Sequence, residues 1–91
     1  MRISHMGKVT IRYWAAAKDA AGVPEESVQA ATLAEALAAA VASRAPDDRL
    51  RNVLARSSYL VDATPVGRAA KESVVLGDGA VVEVLPPFAG G

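Results

Sequence analysis

The sequence predicts an α+β domain in which a mixed sheet of four to five strands carries one main helix across one face. Three observations predict it. A period-two alternation occupies Lys8 to Trp14, a capped helical stripe begins at Thr32, and a nearly unbroken apolar run fills Ala80 to Leu85. The order strand, strand, long helix, strands, with helical and extended patterns segregated rather than alternating, belongs to a two-layer domain in which one sheet face is covered. The chain has 91 residues, 52% of them hydrophobic and 22% charged, which is enough for one domain with one core.

In chain order, Met1 to Gly7 reads MRISHMG, and its Ser4-His5-Met6 run resembles the remnant of an expression tag and its cloning site. Residues 1–7 are therefore set apart from the fold, and His5, the only histidine, is not taken as a base or a ligand. The segment lacks the apolar stretch of a signal peptide, and no run approaches the roughly 20 apolar residues of a membrane helix, so a cytoplasmic location away from membranes is expected. From Lys8 to Trp14, the alternation of Val9, Ile11 and Tyr13 with Thr10, Arg12 and Trp14 gives a strand with one face inward. The alanine-rich run Ala15 to Ala21 forms a short helical turn that Gly22 ends in the left-handed conformation, and Val23-Pro24 turns the chain. Glu25 to Ala30 then pairs back on the first strand.

Thr32-Leu33-Ala34-Glu35 is a capping box, which places the start of the main helix. Leu33, Ala36, Leu37, Ala40 and Val41 fall on one apolar stripe, and Pro46 is expected to close the helix near Ala45. Asp47 to Arg56 contains Leu50, Val53 and Leu54 at helical spacing behind an aspartate cap, predicting a second, short helix. The cluster Arg44, Arg49, Arg51 and Arg56 is interrupted by Asp47 and Asp48 and lacks interleaved aromatics, so it reads as a solvated face and not as a nucleic-acid site. Tyr59 to Ala63 is a third strand, Thr64-Pro65 a turn into a short edge around Val66, and Gly67 to Glu72 an irregular loop. Gly77-Asp78-Gly79 is a tight turn into the last strand. The first and last strands are the most apolar, which places them side by side and parallel at the sheet centre.

The domain spans residues 8–87, and residues 88–91 form a flexible tail. Pro86 and Pro87 fix φ and remove two backbone donors, so the last strand stops there. Phe88, the only phenylalanine, lies beyond that stop and suits a pocket on another protein. Ala89, Gly90 and Gly91 end the chain with little or no side chain, a shape that passes through a narrow channel and delivers a terminal carboxylate to a buried centre. Six extended residues from Pro86 reach roughly 20 Å at about 3.3 Å each.

Charge and composition limit the partners. Ten basic and ten acidic residues cancel, leaving no net field to recruit nucleic acid or anionic lipid. All the Lys and Arg lie in residues 1–71, whereas residues 72–91 hold Glu72, Asp78, Glu83 and the terminal carboxylate, so a partner gripping this end is expected to be basic. No cysteine is present, which excludes disulfides, thiolate metal sites and a cysteine nucleophile. With no phosphate-cradling loop and no metal-ligand cluster, the chain is expected to bind no cofactor or metal and to catalyse nothing alone.

The final strand and tail, Val82-Glu83-Val84-Leu85-Pro86-Pro87-Phe88-Ala89-Gly90-Gly91 after the Gly77-Asp78-Gly79 turn, resemble the end of the MoaD/ThiS family of ubiquitin-like β-grasp sulfur carriers. The resemblance spans about Lys8 to Gly91. It implies that Gly91 is adenylated by an activating enzyme using ATP and converted to a thiocarboxylate, with Pro86, Pro87, Phe88, Ala89 and Gly90 contacting partners. The Pro-Pro pair is most similar to the small subunit of molybdopterin synthase, for which the resemblance implies a large-subunit partner in a heterotetramer and sulfur donation to a pyranopterin. Carriers for cysteine or thiamine-thiazole synthesis and ubiquitin-like protein modifiers share this ending and stay open, as does an interaction module with an inert tail. Phe88 and the long arginine-rich segment after the main helix depart from the family pattern.

Overall fold

A computed structural model describes residues 6–87. Five strands form one sheet in the order β2-β1-β5-β3-β4, with β1 Gly7–Tyr13, β2 Glu25–Ala30, β3 Ser58–Val61, β4 Thr64–Pro65 and β5 Val81–Leu85. Three helices, α1 Ala15–Ala21, α2 Leu33–Ala42 and α3 Arg49–Leu54, complete it. The expected centre is present: β1 and β5 run parallel with Thr10 opposite Val81 and Tyr13 opposite Val84, while β2 and β3 flank them antiparallel. The alternation of β1 sorts its side chains, burying Val9, Ile11 and Tyr13 and leaving Lys8 and Arg12 exposed. Val82 and Val84 of β5 are fully buried beside them. Each such aliphatic side chain contributes about 1.5–3 kcal/mol by leaving water.

Helix α2 covers this face with Leu33, Ala36, Leu37 and Ala40, the stripe read from its spacing. Its start is capped as the sequence predicts. The Glu35 amide donates to the Thr32 hydroxyl at 3.2 Å, and the Glu35 carboxylate accepts from the Ala31 amide at 2.8 Å. Its end comes earlier than Pro46 suggested. After Ala42 the chain tightens into shorter-range bonds, with the Arg44 amide donating to the Val41 carbonyl and the Ala45 amide to that of Ala42. The Ser43 hydroxyl and the Arg44 guanidinium both donate to the Ala40 carbonyl, taking the acceptor that a further turn would have used.

Other boundaries differ as well. The ladder begins at Gly7, one residue before the sequence boundary, because Gly7 pairs with Ala30. The third strand stops at Val61, and the turn falls on Asp62-Ala63 rather than on Thr64-Pro65. Asp62 at φ 49° and Ala63 at φ 69° make a two-residue hairpin turn of the handedness that fits sheet twist, and Thr64–Pro65 becomes the edge strand itself. Asp62 tolerates that conformation, and it also binds the start of β5, donating its amide to the Val81 carbonyl and accepting from the Val81 amide at 3.0 Å. Pro65 sits on the sheet edge, where its missing N–H costs no ladder bond. The stretch read as an irregular loop, Gly67 to Glu72, runs into a 3₁₀ turn, Lys71–Ser73. At the predicted turn, Gly79 takes φ 86° and the Asp78 carboxylate accepts from the Lys8 amide at 2.8 Å.

Two tyrosines lie in the core with their hydroxyls satisfied. Tyr59 donates to the Leu54 carbonyl at 2.6 Å, fastening α3 to β3, and Tyr13 donates to the Glu26 carboxylate. Burial pushes the Tyr59 hydroxyl up to about 12, and burial followed by the Glu26 contact pushes Tyr13 up further. An unfolded tyrosine ionises near 10. A folded-state value above the unfolded one means stability is complete below about pH 10 and is lost as pH rises through the folded values. The denaturant midpoint is therefore expected to hold up to about pH 9 and fall from about pH 10 upward, with tyrosinate absorbance appearing together with unfolding. Gly7 supplies a second check. A Cβ there would lie 2.7 Å from the Asp78 Cα, so Gly7→Ala forces two backbones apart and is expected to cost about 1–3 kcal/mol in chemical denaturation.

Candidate functional site

The last residue of β5, Leu85, lies opposite Ser58 of β3, and the preceding Val84 accepts a 3.3 Å bond from the Trp14 amide. The chain thus leaves the sheet at its centre, with Trp14 on one side and Ser58 on the other. Pro86 is half-buried and Pro87 exposed, and both follow the end of the ladder. The remaining predicted site residues, Phe88, Ala89, Gly90 and Gly91, lie outside the described residues, as does His5.

Trp14 is the functional candidate that the sequence pattern did not single out. Its position at the outward parity of an alternating strand made it one more outer residue, yet it is the chain's only tryptophan and is 48% exposed. Directly after it, Ala15 takes φ 49°, a left-handed conformation that costs an L-residue roughly 1–2 kcal/mol. That kink turns the chain from β1 into α1. A half-exposed indole beside a strained backbone makes the strand exit a candidate contact surface. Trp14 lines a shallow groove of about 210 Å³ with Arg12, Lys18, Pro24 and Glu25. Across the open sheet face, Arg12 lies 3.3 Å from Glu25 and 4.0 Å from Glu83, so a ladder of paired charges borders the exit.

Beneath the exit is a polar lock. The Glu26 carboxylate accepts from the Tyr13 hydroxyl and lies 2.9 Å from the Arg44 guanidinium, which stacks 5.7 Å from the Tyr13 ring centre and donates to the Ala21 and Ala40 carbonyls. One residue each from β1, β2 and the end of α2 are joined, with α1 held through Ala21. Tyr13 stays protonated across the neutral range, so this constellation fixes geometry and supplies no nucleophile or base. The structure also divides the arginine cluster that the sequence presented as one solvated face. Arg44 is half-buried in the lock, Arg49 pairs with Asp47 at 2.7 Å and holds that carboxyl down to about 2, and Arg51 borders a groove between α2 and α3. Among the described residues, no group of three or more His, Asp or Glu is placed to hold a metal ion, and no helix is long and apolar enough to cross a membrane.

This arrangement, a five-stranded mixed sheet around a parallel pair of terminal strands with α2 across one face, is a ubiquitin-like β-grasp. The model of the ThiS family matches residues 11–91, and the chain belongs to that family of sulfur-carrier fold. No curated protein matches it in sequence. Among solved structures, it is similar to small archaeal modifier protein 1 from Methanosarcina acetivorans, with TM-score 0.81 and 20% identity over 97% of this chain and 100% of that one. The same modifier from Haloferax volcanii gives TM-score 0.75 and 22% identity over 93% and 100%. Subunit 1 in the complex of subunits 1 and 2 of the molybdopterin-converting factor from Helicobacter pylori gives 0.65 and 21% over 92% and 99%. At these identities the likeness is one of fold.

Partial exposure makes Trp14 testable in binding as well as in folding. Trp14→Ala is expected to cost about 1–2 kcal/mol in chemical denaturation, since about half of the indole is covered, and to weaken capture of the chain by a protein docked at the strand exit by about tenfold or more in a calorimetric titration.

Proposed function

We propose that this chain is a sulfur carrier whose working atom is the carbonyl carbon of Gly91, and that it serves as the small subunit of a molybdopterin synthase. The observation supporting this reading is the exit: a rigid central strand held on both sides delivers Pro86-Pro87 to the surface, and the sequence continues as Phe88-Ala89-Gly90-Gly91. A carboxylate is a poor electrophile. An activating enzyme therefore transfers AMP from ATP to the Gly91 carboxylate, releasing pyrophosphate. A sulfide donor then attacks the acyl carbon, expelling AMP and leaving a thiocarboxylate, so each step balances with no change at the carbon beyond exchange of oxygen for sulfur.

In this scheme the chain supplies position and no catalysis. Gly90 and Gly91 pass a constriction that any Cβ would narrow. Phe88 and the prolines hold the tail in the partner's channel, and Trp14 seats the partner against the exit. The large subunit then accepts the sulfur for a pyranopterin dithiolene, the assignment favoured by the Pro-Pro pair. The complex of subunits 1 and 2 described above is the precedent for such an assembly. The modifier proteins among the similar folds favour a second reading, in which the same adenylate is captured by a lysine to form an isopeptide bond.

Incubation with ATP, sulfide and a cognate activating enzyme is expected to raise the intact mass by about 16 Da, oxygen exchanged for sulfur. Removal of Gly91 is expected to abolish that gain and leave the melting curve unchanged, because a terminal residue beyond the ladder contributes little to stability. No mass gain with a competent enzyme overturns carriage. Adducts on lysines of added protein, with no sulfur passed to a large subunit, favour the second reading over the first.

A further inference from the structure

On the helix side of the sheet, away from the open face that borders the tail's exit, α2 and α3 part to leave a groove of about 570 Å³. Its apolar lining comes from Leu37 and Val41 of α2, Leu54 of α3 and Tyr59 of β3. Small residues on the outer side of α2, Ala38 and Ala42, keep that wall low and the groove open along its length. Its charged lining consists of Arg51 and Lys71, both exposed, with no carboxylate among the lining residues. The Lys71 ammonium stands 5.3 Å from the Tyr59 ring centre, directly over the apolar floor.

This charge pattern is selective. Arg44 and Arg49, the neighbours of Arg51 in sequence, are engaged by Glu26 and Asp47, whereas Arg51 and Lys71 have no ion-pair partner among the described residues. Two cations flanking an apolar trough complement a ligand with apolar side chains between carboxylates. An open trough between two helices accepts a side-chain row rather than an enclosed small molecule, as in helix-in-groove recognition.

We propose that the α2–α3 groove is a second docking surface, and that its occupant is an acidic amphipathic segment of a partner protein. The segment's apolar side chains rest on Leu37, Val41, Leu54 and Tyr59, and its carboxylates meet Arg51 and Lys71. Because the groove opens on the helix side and Trp14 borders the other, the two surfaces can be engaged together. A partner holding the groove can therefore keep the carrier while the tail is presented elsewhere. That holding role rests on the carrier reading, whereas binding of an acidic segment in the groove does not.

The test uses the full chain, isotope-labelled, titrated with a synthetic peptide carrying Leu at i, i+3, i+4 and i+7 and Glu elsewhere, against a control with Lys in place of every Glu. The acidic peptide is expected to shift the amide resonances of Val41, Leu54, Tyr59 and Lys71 and to bind more weakly as salt rises. Arg51→Glu with Lys71→Glu is expected to lower its affinity about tenfold or more while the melting curve holds, since both side chains are exposed. Ala42→Glu, which adds a repelling charge on the low wall without touching the floor, is expected to weaken it in the same direction. Equal binding of the lysine peptide, shifts confined to the open sheet face, or no shifts at all each overturn the proposal. Sulfur loading of Gly91 is expected to be unaffected by these substitutions, so a failure here is distinct from a failure of carriage.

Discussion

The parallel pairing of β1 with β5 is the constraint on which the rest of the structure depends. Parallel neighbours cannot be joined by a tight turn, so everything between Tyr13 and Val81 forms the long connection that returns the chain to the same end of the sheet. That connection lays down β2, α2 and α3 before β3 and β4 close the other side. The pair is then covered by α2 and buried through Val9, Ile11, Tyr13, Val82 and Val84. The consequence for function is geometric: the end of β1 and the end of β5 come out together. Trp14 and Pro86 are therefore neighbours in space although most of the chain separates them.

Packing alone would let such an alanine-rich helix slide along the sheet, since small side chains give few distinct positions. The Tyr13, Glu26 and Arg44 cluster removes that freedom. Its hydrogen bonds are directional, it joins β1, β2, α1 and the end of α2, and its groups are partly shielded from water, so a shifted helix would leave a half-buried charge unpaired. Among the described residues no buried side-chain nitrogen or oxygen lacks a partner. The same cluster fixes where α2 stops, because Arg44 reaches back to the Ala40 carbonyl. Strain at Ala15 persists because the ladder before it and the helix after it are both held.

The two grooves of the domain differ in how their charges are paired. At the end of β1, Arg12 is drawn between Glu25 and Glu83, and Lys18 lines the same groove. Between α2 and α3, Arg51 and Lys71 face outward over apolar floor. A net charge of zero thus includes cations that are already paired and others with no ion-pair partner among the described residues. Unpaired cations beside an apolar floor favour an acidic partner there more than at the groove whose charges are paired.

Much of this was legible in the residues themselves, because it rests on local rules. Alternation in β1, the Thr32 and Glu35 cap, the glycine end of α1 and the apolar run of β5 each follow from neighbours a few positions apart, and the ThiS-like ending needs only its own order of residues. The boundaries that moved were those decided by distant contacts: α2 ends early because Arg44 turns back on it, and β3 turns at Asp62 because that residue also binds Val81. Gly7 joined the ladder because Ala30 was there to pair with it. Tertiary structure alone decided that Trp14 stands beside the end of β5 and that Arg44, Arg49 and Arg51 have different surroundings. Spacing along the chain states which residues are available; only their placement against residues far away in sequence states which charges are already neutralised and which surfaces remain open.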